Sequence, residues 1–205
     1  MTDNKKDLSK AAFGRDASTY DQSSRYAPLR ALYPRIAAEA LRLPFSSILD
    51  VGCGTGGLLS EIRSRKKTAR LYGVDLSDLM IAAAKAKLSS ADLRVSDSED
   101  LPFKDGSFDL VTCTFSFHHY PNPKAVLKEM CRVLTPDGRL ILADPSIFPP
   151  ARQVFNLLTR NSKDGAVRYY SERELSELAE SAGLKIARWT KLNWHSYLCV
   201  ARKKA

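Results

Sequence analysis

The stretch ILDVGCGTGGLL, residues 48–59, places four glycines within six positions directly after a short apolar run. Glycine loses more backbone freedom on ordering than any other residue, so such a cluster belongs where bare backbone is needed. An apolar run that ends in glycines and resumes as GLLSEIRSRK reads as strand, tight turn and helix. At the carboxyl edge of a parallel sheet, that turn is where ligands approach backbone amides. Gly52, Gly54 and Gly57 satisfy G-x-G-x-x-G, which points to a nucleotide-type ligand at a helix N-terminus but does not by itself name one.

Outward from this turn, strands and helices alternate. RLYGVD, DLRV, FDLVTC and GRLILAD read as strands. Helices are expected from Ser77, a plausible N-cap, through SDLMIAAAKAKL, and over PKAVLKEMCRVL. Upstream, Tyr26 to Leu43 reads as one helix with Leu29, Leu32, Tyr33, Ile36, Ala37 and Ala40 on one face, stopped by Pro44. Downstream, Pro145, Pro149 and Pro150 break regularity before a short helix, ARQVFNLLTR, and a loop, NSKDGAVRYY. Ser171 and Glu174 form a capping-box pattern for a helix that Gly183 closes. LKIARWTK and WHSYLCVARK then read as an antiparallel hairpin linked at Leu192-Asn193. The fold class expected is α/β: one doubly wound, mostly parallel, seven-stranded Rossmann-like sheet ending in that hairpin.

With 205 residues and 44% hydrophobic composition, one domain spanning 1–205 is the reading. No apolar run approaches the ~18 residues of a membrane span, and residues 1–10 carry no apolar leader, so a cytoplasmic chain is expected. Cys53, Cys113, Cys131 and Cys199 show no C-x-x-C pairing and read as buried small hydrophobes, with no metal site expected. The net charge of +9 is densest in IRSRKKTAR, residues 62–70. A nucleic-acid partner is open on that ground but not favoured: no aromatics interleave, and cations gather at helix C-termini in any case.

Asp75 closes the second strand where a ribose diol would lie, which supports an adenosine ligand without singling out NAD. After the third strand, SDSEDLPF offers Asp97 to an adenine amino group and the Ser98 backbone to the ring. LDVGCGTG, GVDLS, SDSEDLPFKDGSFDLV, FHHYPNP and EMCRVLTPDGRLILAD together resemble the successive motifs of class I S-adenosylmethionine-dependent methyltransferases. The likeness is to the small-molecule branch that includes the ubiquinone and menaquinone biosynthesis enzymes, and it runs in order from about Phe13 to Cys199.

The resemblance implies S-adenosyl-L-methionine as cofactor, S-adenosyl-L-homocysteine as product and a small-molecule methyl acceptor. By position, Asp50, Gly52, Cys53 and Gly54 would hold the methionine end, and Asp75 the ribose hydroxyls. Leu76 and Met80 would lie against the adenine, Asp97 and Ser98 at its edge, and Thr114 and Phe115 beside the cofactor. It further implies that residues 1–25, with Tyr20-Asp21, fold over the cofactor as a lid, assisted by Arg25. Residues 145–170 would cap the acceptor with Phe148, Phe155, Tyr169 and Tyr170. The plainer alternatives are that Asp50 and Asp75 merely cap helices and that Met80, Tyr20 and the aromatics merely pack.

Methyl transfer from a sulfonium mostly needs in-line placement and exclusion of water, with a base only where the acceptor arrives protonated. His118 and His119, just past the fourth strand, are the candidate catalytic bases. TFSFHHYPNP lacks the Asn or Asp followed by Pro-Pro and an aromatic that exocyclic-amine methylation uses, which disfavours that chemistry. An NAD-dependent oxidoreductase would need Tyr120 and Lys124 on one helix face, and Pro121 and Pro123 forbid it. An RNA-directed methyltransferase or RNA-associated cofactor-binding protein is the remaining alternative. Because residues 1–25 carry few large apolar groups beyond Phe13 and Tyr20, the segment is expected to order itself only over bound cofactor.

Overall fold

The computed structural model describes residues 2–204; Met1 and Ala205 lie outside them. Seven strands form one sheet in the order β3-β2-β1-β4-β5-β7-β6. They are β1 (Ser47–Val51), β2 (Arg70–Asp75), β3 (Asp92–Val95), β4 (Phe108–Thr114), β5 (Leu134–Pro145), β6 (Leu184–Asn193) and β7 (Ser196–Lys203). Strands β1 to β5 pair in parallel, while β7 runs antiparallel to both β5 and β6. The chain order reverses between β1 and β4, so a crevice opens above their carboxyl ends.

Alternation along the strands feeds two cores. On one face Ile48, Leu110, Ile141 and Leu198 meet α3 (Tyr33–Leu41), α4 (Gly57–Arg65) and α5 (Asp78–Lys87) through Ile36, Ile62 and Ile81. On the other, Leu49, Val111, Leu142 and Tyr197 meet α6 (Pro123–Val133) and α8 (Glu172–Ser181) through Val126, Met130, Leu175 and Ala179. The expected caps are formed: Ser77 accepts from Met80 N, and Ser171 with Glu174 makes a capping box. Cys53, Cys113 and Cys199 are buried; Cys131 is half-buried.

Two expectations are corrected. The single helix over Tyr26–Leu43 is instead α2 (Ala27–Arg30) and α3, because Pro28 and Pro34 each occupy a first-turn position, where a missing N–H is tolerated, and restart the helix. The hairpin turns at Trp194-His195 and not at Leu192-Asn193: Asn193 pairs with Ser196, and its side chain accepts from His195 N at 2.8 Å, an Asx turn.

Residues before α2 form α1 (Thr2–Asp16) and a run of turns. Arg30 fastens the turns by donating to the carbonyls of Tyr20 and Ser23 at 2.7 and 2.9 Å. Tyr20 stacks on Tyr26, ring centroids 4.2 Å apart. Arg25 lies over the Tyr26 ring and is not among the residues that line the crevice. α7 (Ala151–Leu158) leaves Val154, Phe155, Leu157 and Leu158 exposed.

Candidate active site

The glycine loop sets the floor of the crevice. Gly52, at φ 73°, cannot carry a side chain, since a Cβ there would lie 2.5 Å from Ser116 Oγ and 2.7 Å from Tyr120 Oη. Gly54, at φ 51°, differs: a Cβ would meet nothing within 4 Å, so this backbone faces open space. Asp75, at the end of β2, binds the loop to the next helix. Its Oδ2 accepts from Gly54 N at 2.8 Å and its Oδ1 from Ser77 N at 2.9 Å. Each oxygen retains a second lone pair for a ligand hydroxyl.

Asp50 is wholly buried beneath the loop. Thr112 donates to its Oδ1 at 2.7 Å, while Oδ2 has no partner. Burial pushes its carboxyl up to about 7, the Thr112 hydrogen bond opposes that rise, and Asp75 adds to it. A buried acceptor without a donor is costly, and a cationic ligand would satisfy it.

Every residue expected to hold the cofactor lines one cleft of about 930 Å³, its open mouth included. On the floor and walls are Asp50, Gly52, Cys53, Gly54, Asp75 and Leu76, with Met80, Asp97, Ser98, Thr114 and Phe115 beyond them. Tyr20 reaches in from the N-terminal segment. Phe115 sits in the left-handed region at φ 55°, uncommon for an aromatic, and turns the chain out of β4 while its N–H donates to Ala143 O at 2.8 Å. Asp21, next to Tyr20, is latched by Thr55 Oγ1 at 2.8 Å and Lys87 Nζ at 2.5 Å.

α1 roofs the cleft. Lys6, Ser9 and Phe13 share the lining, a spacing that puts all three on one helix face. Lys6 Nζ pairs with Asp97 at 2.6 Å and Glu99 at 2.7 Å. Lys6, Tyr33, Ser116 and Tyr120 all line the cleft and were not among the expected residues. Ser116 and Tyr120 carried a readable signal, lying four positions apart directly after the fourth strand; Lys6 carried none.

The two histidines part company. They occupy a 3-10 turn, Phe117–His119, in which successive side chains diverge by about 120°. His119 lines the cleft, edge-on to Phe13 with ring centroids 5.0 Å apart. His118 does not line it. Its Nδ1 donates to buried Asp144 Oδ1 at 2.8 Å, and Tyr169 stacks on its ring. The expected aromatic walls also fall elsewhere: Tyr170 packs in the core against Phe117, and Phe148 and Phe155 are half exposed.

Comparison with known proteins places this geometry. The "Methyltransferase domain" family matches residues 49–142. A ubiquinone biosynthesis O-methyltransferase of Coxiella burnetii is 30% identical over 191 residues, 86% of this chain and 80% of that protein. A demethylmenaquinone methyltransferase of Deinococcus radiodurans is 38% identical over 128 residues, 60% of this chain, and the match spans only 52% of that protein. Among solved structures, a chain from the complex of a Haloferax volcanii methyltransferase with the Trm112 methyltransferase activator superposes with a TM-score of 0.78 at 22% identity, covering 94% of this chain and 98% of that one. Among the described residues no helix is long and apolar enough to cross a membrane. A sheet that reverses order above a glycine loop, two carboxylates at adjacent strand ends and a relative matched over four-fifths of its length agree: the chain belongs to the S-adenosylmethionine-dependent methyltransferases.

Proposed function

We propose that this chain transfers the methyl group of S-adenosylmethionine to a small-molecule acceptor, of the kind named for its quinone-biosynthesis relatives. Bound S-adenosylmethionine supplies an activated methyl on a sulfonium; the protein's work is to seat and shield it. Asp50 Oδ2 meets the cationic end above Gly52, Cys53 and Gly54. Asp75 takes the ribose hydroxyls, Leu76 and Met80 flank the adenine, and Asp97 and Ser98 border its edge. Thr114 and Phe115 close the side toward β4. Residues 1–25 act as the lid, with Tyr20 turned inward.

The observation that carries the acceptor class is the roof: α1 covers a crevice lined by Phe13, Tyr20 and Phe115, a space suited to a small, flat molecule. The basic run 62–70 lies elsewhere. It begins in the last turns of α4, whose N-terminus is at the glycine loop, and ends where β2 starts, so it sits at the opposite edge of the sheet. Several of its cations are also engaged: Lys66 over the Phe45 ring, Arg65 on Pro34 O and Glu61, Arg63 on Lys67 O. An RNA held there would be presented away from the methyl.

The test pairs calorimetry with labelled transfer. Purified protein should bind S-adenosylhomocysteine and not NAD, and should pass label from methyl-tritiated S-adenosylmethionine into a small-molecule extract. Binding of NAD without S-adenosylhomocysteine overturns the cofactor assignment. Label entering only RNA overturns the acceptor class.

A further inference from the structure

Cys113, Ser116 and Tyr120, around the end of β4, share their protons in a fixed order. Ser116 Oγ donates to Val51 O at 3.3 Å, and lies 3.2 Å from Cys113 Sγ and 3.0 Å from Tyr120 Oη. A carbonyl only accepts, so the serine proton is committed to Val51 and the two lone pairs of Oγ are left for the thiol and the phenol. Tyr120 therefore donates to Ser116. Cys113 gives its proton to the same oxygen, since Tyr120 Oη stands farther from the sulfur, at 3.9 Å. Burial keeps both groups protonated near neutral pH, raising Tyr120 well above the ordinary phenol and Cys113 above the ordinary thiol. The phenol oxygen is left as an acceptor with its own proton turned toward Ser116.

Tyr120 lines the cleft, and its oxygen rests against the bare face of Gly52, where a Cβ would stand 2.7 Å away. Gly52 lies between the two carboxylates assigned above to the parts of the cofactor: Asp50 in β1, and Asp75, which holds Gly54 N. In S-adenosylmethionine the sulfur joins the methionine chain to the ribose, so a molecule seated on both carboxylates carries its sulfonium between them, beside Gly52. A sulfonium has no N–H or O–H to donate. Its positive charge polarises the attached C–H groups, and these meet oxygen lone pairs as weak donors.

Resting on the methyltransferase reading above, we propose that Tyr120 Oη recognises the sulfonium by accepting from its C–H groups, and so makes the site favour S-adenosylmethionine over S-adenosylhomocysteine. The product's sulfide is neutral, has lost the methyl and leaves its remaining C–H groups far less polarised. Asp50 Oδ2 serves a different group, the ammonium, which substrate and product share. Ser116 and Cys113 act through Tyr120 as positioning residues: Ser116 holds the phenol proton, and the thiol fills the other lone pair of Ser116.

The proposal is tested by calorimetric titration of wild type and Tyr120→Phe with each form of the cofactor, and by NMR of wild type with S-adenosylmethionine carrying ¹³C in its methyl. In Tyr120→Phe the affinity for S-adenosylmethionine is expected to fall ~3–10-fold, the worth of one or two carbon-donor hydrogen bonds, while that for S-adenosylhomocysteine stays within about twofold. Ser116→Ala, which releases the phenol proton, should move the ratio of the two affinities in the same direction. In wild type the labelled methyl should give a proton resonance downfield of the free cofactor's, the mark of a C–H group held against oxygen. A ratio that falls by less than about twofold in Tyr120→Phe, because both forms weaken alike or neither does, overturns the proposal and leaves the phenol to the ammonium or to packing. A methyl resonance not displaced downfield also overturns it, and that result decides should the variants fail to fold. Wild type that binds neither form of the cofactor would instead strike the reading on which the proposal rests.

Discussion

Alanine at Gly52 and alanine at Gly54 separate the part of the loop that holds the fold from the part that faces ligand. Both glycines have positive φ, 73° and 51°, so each substitution carries the ~1–2 kcal/mol of forcing an L side chain into left-handed backbone. Beyond that they diverge. A Cβ at 52 would strike Ser116 and Tyr120, two hydroxyls joined at 3.0 Å, and overpacking adds ~1–3 kcal/mol. Gly52→Ala is therefore expected to lose ~2–5 kcal/mol, a fall in Tm of roughly 4–20 °C for a chain of this size. A Cβ at 54 meets no protein atom within 4 Å, so Gly54→Ala loses only the backbone part, roughly 2–8 °C. Its methyl fills space proposed for the methionine end instead, and ~1–3 kcal/mol of crowding raises the Kd for S-adenosylhomocysteine ~5–150-fold. Thermal melts without ligand and calorimetric titration of both variants read the two effects separately. Unchanged affinity in Gly54→Ala, or a melt as early as that of Gly52→Ala, would refute the reasoning.

The buried carboxylates yield a pH dependence. Asp50 is raised from 3.8 to about 7, so between those values the folded chain keeps a proton that the unfolded chain has lost, and this group makes the unliganded protein less stable as pH rises through that window. A cationic ligand beside Oδ2 favours the ionised form, so binding should release a proton near pH 6, seen as heats that differ between buffers of different ionisation enthalpy and absent in Asp50→Asn. Asp75→Ala should weaken S-adenosylhomocysteine by ~1.5–3 kcal/mol and also lower Tm, because its two backbone hydrogen bonds are lost with it; unchanged affinity with lowered stability would leave only the capping role. Deleting residues 1–25 should leave the sheet folded and abolish transfer, and in the intact chain hydrogen exchange over α1 should slow on adding S-adenosylhomocysteine; exchange indifferent to ligand would sink the lid.

Much of this architecture is legible in the sequence because the parts that decide it are local. Strands β2 and β3 begin and end where their apolar runs do, and the caps at Ser77 and Ser171 are patterns of four residues. The cofactor residues are legible for a related reason: in a parallel sheet the carboxyl end of each strand reaches the same edge, so Asp50, Asp75, Asp97 and Thr114 converge without any long-range guess. What the sequence hides is tertiary. The break in the Tyr26–Leu43 helix was written in Pro28 and Pro34, which the apolar periodicity overshadowed. Neighbouring histidines look equivalent until a 3-10 turn sends one to Asp144 and the other to the cleft. Lys6 is one cation among many until α1 lays it on Asp97.

The same helix joins the two halves of the site. Lys6 and Phe13 are two turns apart on one face, the first over the proposed adenine edge and the second over His119. Gly165, at φ 76°, lies so close beneath α1 that a Cβ would stand 2.6 Å from Lys5 O and 2.8 Å from Ser9, and Lys5 Nζ donates to Thr159 O at 2.6 Å. The roof over the cofactor and the loop behind His119 are thus one packed unit. A ligand that competes with Lys6 for Asp97 acts on the helix that carries Phe13, and removing that ion pair costs little, since both partners are partly exposed and such pairs are worth about 1 kcal/mol or less. Partly exposed ion pairs of Lys6 at one end and ring contacts of Phe13 with Tyr26 and His119 at the other hold α1 over the cleft, while Asp50, Asp75 and the glycine loop belong to the sheet.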